Sequence, residues 1–387
     1  MLLTNTLESM VITEVLSAAQ QRVFLEMPDR IYNTDPNYIR PLDKSILDIF
    51  DPAANPLLQS GGACRRWLLW SKSGLCVGRI AAFYKIKSDG VNERRVGGIG
   101  FFECIDDQMA ANLLLDQAKY WLEEKGMNVI HGPINFGTRH SWWGLLINGE
   151  GKPNFESNHH PVYYRRLFEN YGFALNYRQF TFRFSQQQAP DCFFKAVLKR
   201  FQSDGRYEFK SADPARWLNY AVQFQRLYNN TWALEERAPA LSLDQVLNWM
   251  DNLKDVLDWR LIWFAYFNGK PVAFFAGIPE LNHHILQYVH GKVRFMDKFK
   301  LAGKKWLGSS YDKAYGMYYG VLDGFESSGV GLGLIAAMQD AWMTQLKIPY
   351  HSIEFGWIGD YNPKMIKLMK MAGGEITKIH HTYRYWI

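Results

Sequence analysis

"FESSGVGLGLIAAM", residues 325–338, decides how the rest of this chain is read. It lies between an aromatic run, "YGMYYGVL" (315–322), and an apolar stretch, "LIAAMQDAWMTQL" (334–346). A β-prone run, a glycine turn and an apolar run of helical length spell strand, tight connection and helix. A helix that starts here leaves N–H groups without intrahelical acceptors, and its dipole adds partial positive charge, so an anion is favoured at this point. Gly329, Gly331 and Gly333 permit positive φ and close approach of a ligand to the backbone. The spacing is G-x-G-x-G, not G-x-G-x-x-G, and no acid follows at the ribose-binding distance, which argues against a dinucleotide fold.

Working outward, the second half reads as a strand at 207–212, helices near 214–232 and 242–255, and a hairpin over 259–278 that turns at Asn268-Gly269. After the quoted stretch come a strand at 351–357, a helix at 363–372 and a last strand at 377–386. The first half has a similar order. A hairpin over 65–86 turns at Ser71–Gly74, a strand covers 96–104, and a helix runs from Asp106 or Asp107 to Lys125, where Gly126 stops it. A strand at 128–134, a helix near 161–171 and a strand at 177–184 complete it. With an offset of 201, Leu167 falls on Leu368, Gly172 on Gly373, Thr181 on Thr382 and Arg183 on Arg384. The shared order predicts a tandem duplication, with domains at 1–185 and 193–387 joined by the polar "SQQQAPDC" (185–192).

Composition agrees with two globular domains: 387 residues exceed one ordinary core, and 48% are hydrophobic against 21% charged. A net charge of +6 is mild at this length, and the basic pairs Arg65-Arg66, Arg94-Arg95, Arg165-Arg166 and Lys304-Lys305 are scattered, so no nucleic-acid groove is expected. Four cysteines without a CxxC pair read as reduced thiols. No apolar run approaches the ~18–20 residues of a membrane span, and the first twenty residues do not read as a secretory signal. The expectation is a cytoplasmic protein with no membrane partner.

The stretch around Val321–Gly331 resembles the signature of the GNAT acyltransferase superfamily: a strand, an aromatic residue, then Q/R-x-x-G-x-G/A opening a helix. Val321 lies in the strand at 315–322, Phe325 is the aromatic, and Gly329 and Gly331 stand in register. The motifs "FLEMPDRIYNTDPNYIRPL" (24–42), "GFFECIDD" (100–107) and "HGPINF" (131–136) resemble those of a family of bacterial proteins with two tandem GNAT-like halves. The resemblance implies an α+β chain of two such domains, each a mixed sheet flanked by helices. It also implies acetyl-coenzyme A or another acyl-coenzyme A as co-substrate, with no metal. The diphosphate would lie on backbone groups of Ser328, Gly329, Val330, Gly331 and Gly333. Backbone groups of strand 315–322 would align the thioester for direct attack by an amine of a small molecule or peptide.

Three departures qualify the resemblance. Glu326 stands where the superfamily has Gln or Arg. A carboxylate about 4 Å from a phosphate costs about 1 kcal/mol in water and about 4 at an effective dielectric of 20, so Glu326 must point to solvent if the diphosphate binds. The seventh residue after Asn362, where the superfamily often has its tyrosine acid, is Met369. In the first half, a carboxylate at Asp106 or Asp107 would cap the helix whose N–H groups a phosphate needs, so that half is expected to have lost the cofactor.

For proton transfer the choices are Glu354, as base, and Tyr361, as acid, each weighed against a salt-bridged glutamate and a loop tyrosine. In "NFGTRHSWWGLL" (135–146), Arg139, His140 and Trp142 are candidates for substrate contact, against a loop pinned by buried tryptophans. The pairs His159-His160, His283-His284 and His380-His381 show no metal-ligand spacing. Two rival functions stay open: a non-catalytic small-molecule binding protein on the same scaffold, and an aminoacyl-tRNA-dependent transferase.

Overall fold

The computed structural model describes residues 10–85, 95–137, 139–149, 151–186, 192–233, 240–253, 256–292, 312–344 and 349–387. Most of the linker, residues 187–191, lies outside them, as do Arg94, Lys304 and Lys305. The chain divides into two compact units. The first contains Met1–Arg178, Leu286–Asp297 and His380–Ile387, and the second contains Gln179–Ile285 and Lys298–Ile379. The division thus falls at Arg178/Gln179 rather than in the polar linker, and the last eight residues go to the first unit.

The elements of the first half are β1 (Val11–Glu14), α1 (Ala18–Glu26), α2 (Pro28–Ile31), α3 (Asp43–Ile49), α4 (Pro56–Gln59), β2 (Ala63–Trp70), β3 (Cys76–Tyr84), β4 (Val96–Cys104), α5 (Gln108–Glu124), β5 (Val129–Gly132), β6 (Leu145–Gly149), α6 (Tyr164–Tyr171) and β7 (Ala174–Ser185). The β2–β3 hairpin closes where expected: the Gly74 N–H donates to the Ser71 carbonyl at 3.0 Å, and Gly74 has φ +76°. β3 and β4 are antiparallel, and β4 and β5 are parallel through Val96↔Val129, Gly97↔Ile130 and Gly98↔His131. Helix α5 presents Ala111, Leu114, Leu115, Ala118, Trp121 and Leu122 to the core, the stripe a 3.6-residue period predicts.

The second half adds α7 (Cys192–Ser203), β8 (Tyr207–Ser211), α8 (Trp217–Tyr228), α9 (Leu243–Leu253), β9 (Ile262–Phe267), β10 (Lys270–Pro279), α10 (Leu281–His284), β11 (Lys313–Val321), α11 (Val330–Thr344), β12 (Ser352–Gly359), α12 (Pro363–Met371) and β13 (Glu375–Trp386). Asn268 and Gly269 both take positive φ, +48° and +75°, as a two-residue hairpin turn between β9 and β10 requires. The strand order in this unit is β7-β12-β11-β10-β9-β8, with β11 and β12 parallel. Its core gathers Phe182, Phe275, Leu334, Trp342, Phe355 and Met369.

The repeat is visible in the bonds that end α6 and α12. The Gly172 N–H donates to the Glu169 carbonyl at 3.1 Å, and the Phe173 N–H to the Phe168 carbonyl at 3.1 Å. The Gly373 N–H donates to the Lys370 carbonyl at 3.0 Å, and the Gly374 N–H to the Met369 carbonyl at 2.9 Å. Each partner lies 201 residues after its counterpart, and both Gly172 (φ +108°) and Gly373 (φ +82°) are left-handed caps. Each unit takes its closing strand from the other half of the sequence. In the first, Tyr383–Trp386 of β13 pair with β5; in the second, Gln179–Ser185 of β7 pair with β12.

Candidate functional site

The glycine stretch of the second unit folds as strand, turn and helix. β11 ends at Val321, the chain turns through Gly324 (φ +84°), a single 3-10 turn covers Glu326–Ser328, and Gly329 (φ +80°) leads into α11. The Ser328 hydroxyl donates to the Phe325 carbonyl at 2.6 Å and accepts the Val330 N–H at 3.2 Å. One donor at the helix start is therefore held by the protein itself. The next N–H groups, of Gly331 and Leu332, belong to the first turn, where a helix offers no acceptor of its own. Glu326 is exposed. Its carboxylate is on the solvent side, the placement that weakens repulsion of an anion most.

Two of the three glycines have a packing reason to be glycine. A Cβ on Gly331 would lie 2.0 Å from Tyr319 Oη and 2.9 Å from Val321 Cγ2, and one on Gly333 would lie 2.7 Å from Phe209 and 2.8 Å from Phe201. Gly329 is different: its surroundings are open, and its positive φ is what excludes a side chain.

Beside this helix the parallel strands part. β11 and β12 pair from Lys313↔Ser352 to Gly316↔Phe355, and no pairing follows although both strands continue, to Val321 and Gly359. β12 also shifts register against β7 between Phe355 and Ile358. Unpaired backbone on diverging strands offers hydrogen-bonding groups to an extended ligand. One such group is occupied: the Tyr319 carbonyl accepts the Trp232 indole N–H at 3.1 Å.

Glu354 lies opposite Tyr315 in this ladder and is buried. Its Oε2 receives Lys378 Nζ at 2.6 Å, with side chains only 10% and 8% exposed, so the ion pair raised as the alternative reading is present. Lys378 was not singled out from sequence, since only the pairing of strands brings it to Glu354. Tyr361 is 52% exposed, with its ring over Gly359. Asn362 caps α12 by accepting the Met365 N–H at 3.1 Å, and Met369 is fully buried in the core, so no acid stands at that position.

The candidate substrate residues of the first unit lie in its 135–146 segment. Trp142 is buried, 5.8 Å from the Phe101 ring, and its backbone N–H donates to the Glu156 carbonyl. The Arg139 guanidinium sits 5.5 Å from the Trp143 ring centre. Burial pushes the His140 imidazole down to about 4, which keeps it neutral at physiological pH. Helix α5 is capped by Asp107, whose Oδ1 accepts the Ala110 N–H at 2.9 Å. Asp106 is instead paired with Arg166. Among the described residues no His, Cys, Asp and Glu group could hold a metal ion, and no helix is long and apolar enough to cross a membrane.

The chain has the fold of the GNAT N-acetyltransferases, a tandem GNAT protein among them. It is similar to a tandem GNAT protein from the clavulanic acid biosynthesis pathway, at a TM-score of 0.53 and 10% identity over 98% of each chain. It is also similar to a GCN5-related N-acetyltransferase from Sphaerobacter thermophilus, at 0.51 and 9% identity over 97% of this chain and 95% of that one. A GCN5-related glucosamine N-acetyltransferase region in a fungal multi-domain GH3 β-N-acetylglucosaminidase gives 0.56 and 12%, with 98% of this chain and 38% of that one covered. In sequence the chain is 24% identical over 378 residues to the bacterial ceramide synthase of Caulobacter vibrioides, covering 95% of each. It is 24% identical over 383 residues to Protein YghO of Escherichia coli, covering 94% of this chain and 92% of that one. No protein-family model matches the chain.

Proposed function

We propose that this protein is an acyl-coenzyme A-dependent N-acyltransferase. The observation that carries the reading is the opening between β11 and β12 beside the Gly329 turn, with Glu326 directed to solvent. Ser328, Gly329, Val330, Gly331 and Gly333 form the helix start that would hold the diphosphate, and β11 up to Val321 would run along the pantetheine arm. The bound thioester supplies an activated acyl group for direct attack by an amine, so no covalent enzyme intermediate is needed. Glu354 with its Lys378 partner, and Tyr361, are the proton-handling groups this unit offers. Arg139, His140 and Trp142 are the candidate contacts with the acceptor. The name of the Caulobacter relative supports a long-chain acyl group and a long-chain amino alcohol as acceptor. The free thiols Cys64, Cys76 and Cys104 support a reducing, cytoplasmic setting.

The test is release of free thiol from palmitoyl-coenzyme A on addition of a long-chain 2-amino-1,3-diol, with calorimetric titration of coenzyme A alongside. Both should be saturable. Binding without thiol release would favour the non-catalytic reading, which the Trp232 bond to Tyr319 and the Lys378 bond to Glu354 also support. Neither binding nor release would sink the proposal.

A further inference from the structure

One side chain of the second unit, Trp232, stands at the opening beside β11. The Leu322 N–H donates to the Val272 carbonyl at 2.9 Å, and Gly320 pairs with Phe274. Successive residues of an antiparallel ladder turn their backbone groups to opposite sides. Leu322 and Gly320 therefore face β10, while Tyr319 and Val321 face the other way, toward β12. Beyond Gly316↔Phe355 the ladder with β12 gives no further pair between the described residues, so this is the edge an extended ligand would join. On that edge the Trp232 indole N–H donates to the Tyr319 carbonyl at 3.1 Å. Trp232, β10, β11 and β12 all belong to the second unit.

The way Trp232 is held differs from ordinary core packing. It is half-buried, with its ring parallel to Tyr228 at 6.4 Å and edge-on to Tyr318 at 5.9 Å. It is carried by a π-turn, Asn229–Ala233, that follows directly on α8. Such turns are rare, wind more widely than an α-helix and occur often at functional sites. Side chains brace this one: Asn230 Nδ2 donates to the Arg226 carbonyl at 2.7 Å, and the Thr231 hydroxyl donates to the Leu227 carbonyl at 2.8 Å. In a continuing α-helix those carbonyls are the acceptors of the Asn230 and Thr231 backbone N–H groups. An alternative α winding is thus one turn's rearrangement away, and it would rotate Trp232 off the Tyr319 carbonyl. A strand edge left bare invites pairing with other chains, which gives a reason to cap it when no ligand is bound.

We propose that Trp232 is a latch on the thioester site: its indole N–H holds the Tyr319 carbonyl until an amide N–H of the pantetheine arm takes that acceptor, and the π-turn then releases the tryptophan. The latch rests on the acyl-coenzyme A reading of this unit. Its test uses the full chain and coenzyme A with no amine present. In protein labelled with 15N at tryptophan, the indole signal absent from Trp232→Phe belongs to Trp232. Saturating coenzyme A should speed exchange of that N–H with water at least about fivefold. ADP, which has the diphosphate and lacks the arm, should leave it unchanged. Trp232→Phe keeps an aromatic ring and removes the competing donor. Calorimetry should therefore show coenzyme A bound about three- to tenfold more tightly by the variant, whereas a merely structural tryptophan would give equal or weaker binding. Unchanged indole exchange in the saturated wild type, the same rise with ADP, or no gain in Trp232→Phe overturns the latch and leaves the acyltransferase reading standing. No binding of coenzyme A to either protein sinks both.

Discussion

Helices α5 and α11 occupy matching places in the two halves, each between two parallel strands, but their first turns are made differently. α5 starts on a carboxylate, with Asp107 accepting the Ala110 N–H. α11 starts on a hydroxyl, with Ser328 accepting the Val330 N–H, and on a glycine in the left-handed region. Negative charge fills the anion-favouring end of one helix and spares the other. The neighbouring strands differ in the same sense. Past Gly98↔His131 the first unit continues with the Ile134 N–H bonded to the Ile99 carbonyl at 2.8 Å, so the chain itself occupies that edge. Past Gly316↔Phe355 the ladder gives no further pair between the described residues of β11 and β12. The parallel pair thus stays bonded in the first half and stops pairing in the second.

The contrast extends to the two buried glutamates. Glu354 is neutralised by one lysine at 2.6 Å, whereas Glu103 is held by two tyrosine hydroxyls and a more distant guanidinium. Lys378→Met leaves a buried carboxylate without its counter-charge and should cost about 3–5 kcal/mol in urea unfolding. Tyr164→Phe removes one hydrogen bond to a charged group, about 2 kcal/mol, and leaves the buried Cys104 N–H without its acceptor, about 1 more. Equal losses would erase the distinction.

The closed and open strand edges can be compared by adding one methyl group to each. A Cβ on Gly100 would lie 2.0 Å from the Ile134 carbonyl oxygen, and neither is a side chain that can turn aside. Gly100→Ala should cost about 3 kcal/mol or more. In the second unit a Cβ on Gly356 has its nearest neighbours at 3.2 and 3.3 Å, and Gly356→Ala should cost about 1. Similar unfolding midpoints for the two variants would mean that the edges are equally filled.

Acid probes the first unit through histidines. Burial, with Arg139 and Arg384 nearby, pushes His131 down to about 4, and burial alone does the same to His140. Both are neutral when folded and titrate at the ordinary 6.5 when unfolded, so the unfolded chain takes up protons first as pH falls. Stability should be complete above pH 6.5 and decline progressively toward pH 4. His140→Gln should flatten that decline in urea midpoints measured from pH 7 to 5; an unchanged slope would show that His140 is not held neutral.

Smaller effects separate the two helix starts. Ser328→Asp adds charge where a diphosphate would sit but remains a good cap. It should weaken coenzyme A binding about tenfold with no loss of melting temperature, while Asp107→Asn leaves that affinity unchanged. Removing the exposed charge by Glu326→Gln should tighten coenzyme A by only about two- to threefold at low salt and less at high salt. A larger gain would mean that Glu326 faces the ligand.

Much of the fold was legible because its signals are local. The Asn268-Gly269 turn, the Asp107 cap, the stop at Gly126 and the glycine caps 201 residues apart are each set by one or two residues and their immediate backbone. Of the candidate site, only the local strand–turn–helix form of Val321–Gly333 was legible. Nothing near Glu354 announces Lys378, and nothing near Tyr319 announces Trp232, because strand register and helix packing bring these partners together across tens of residues.

By itself, then, the sequence determined the order of strands and helices in each half, their repeat and the glycine-opened helix, since periodicity, caps and turns act within a few residues. Tertiary structure decided which parallel pair opens, whether Glu326 faces water, why Gly331 and Gly333 cannot carry a side chain, and how Tyr32, Tyr164 and Arg79 gather on Glu103. Those outcomes depend on distances between segments remote in the chain, which only the packed sheet and its neighbouring helices fix.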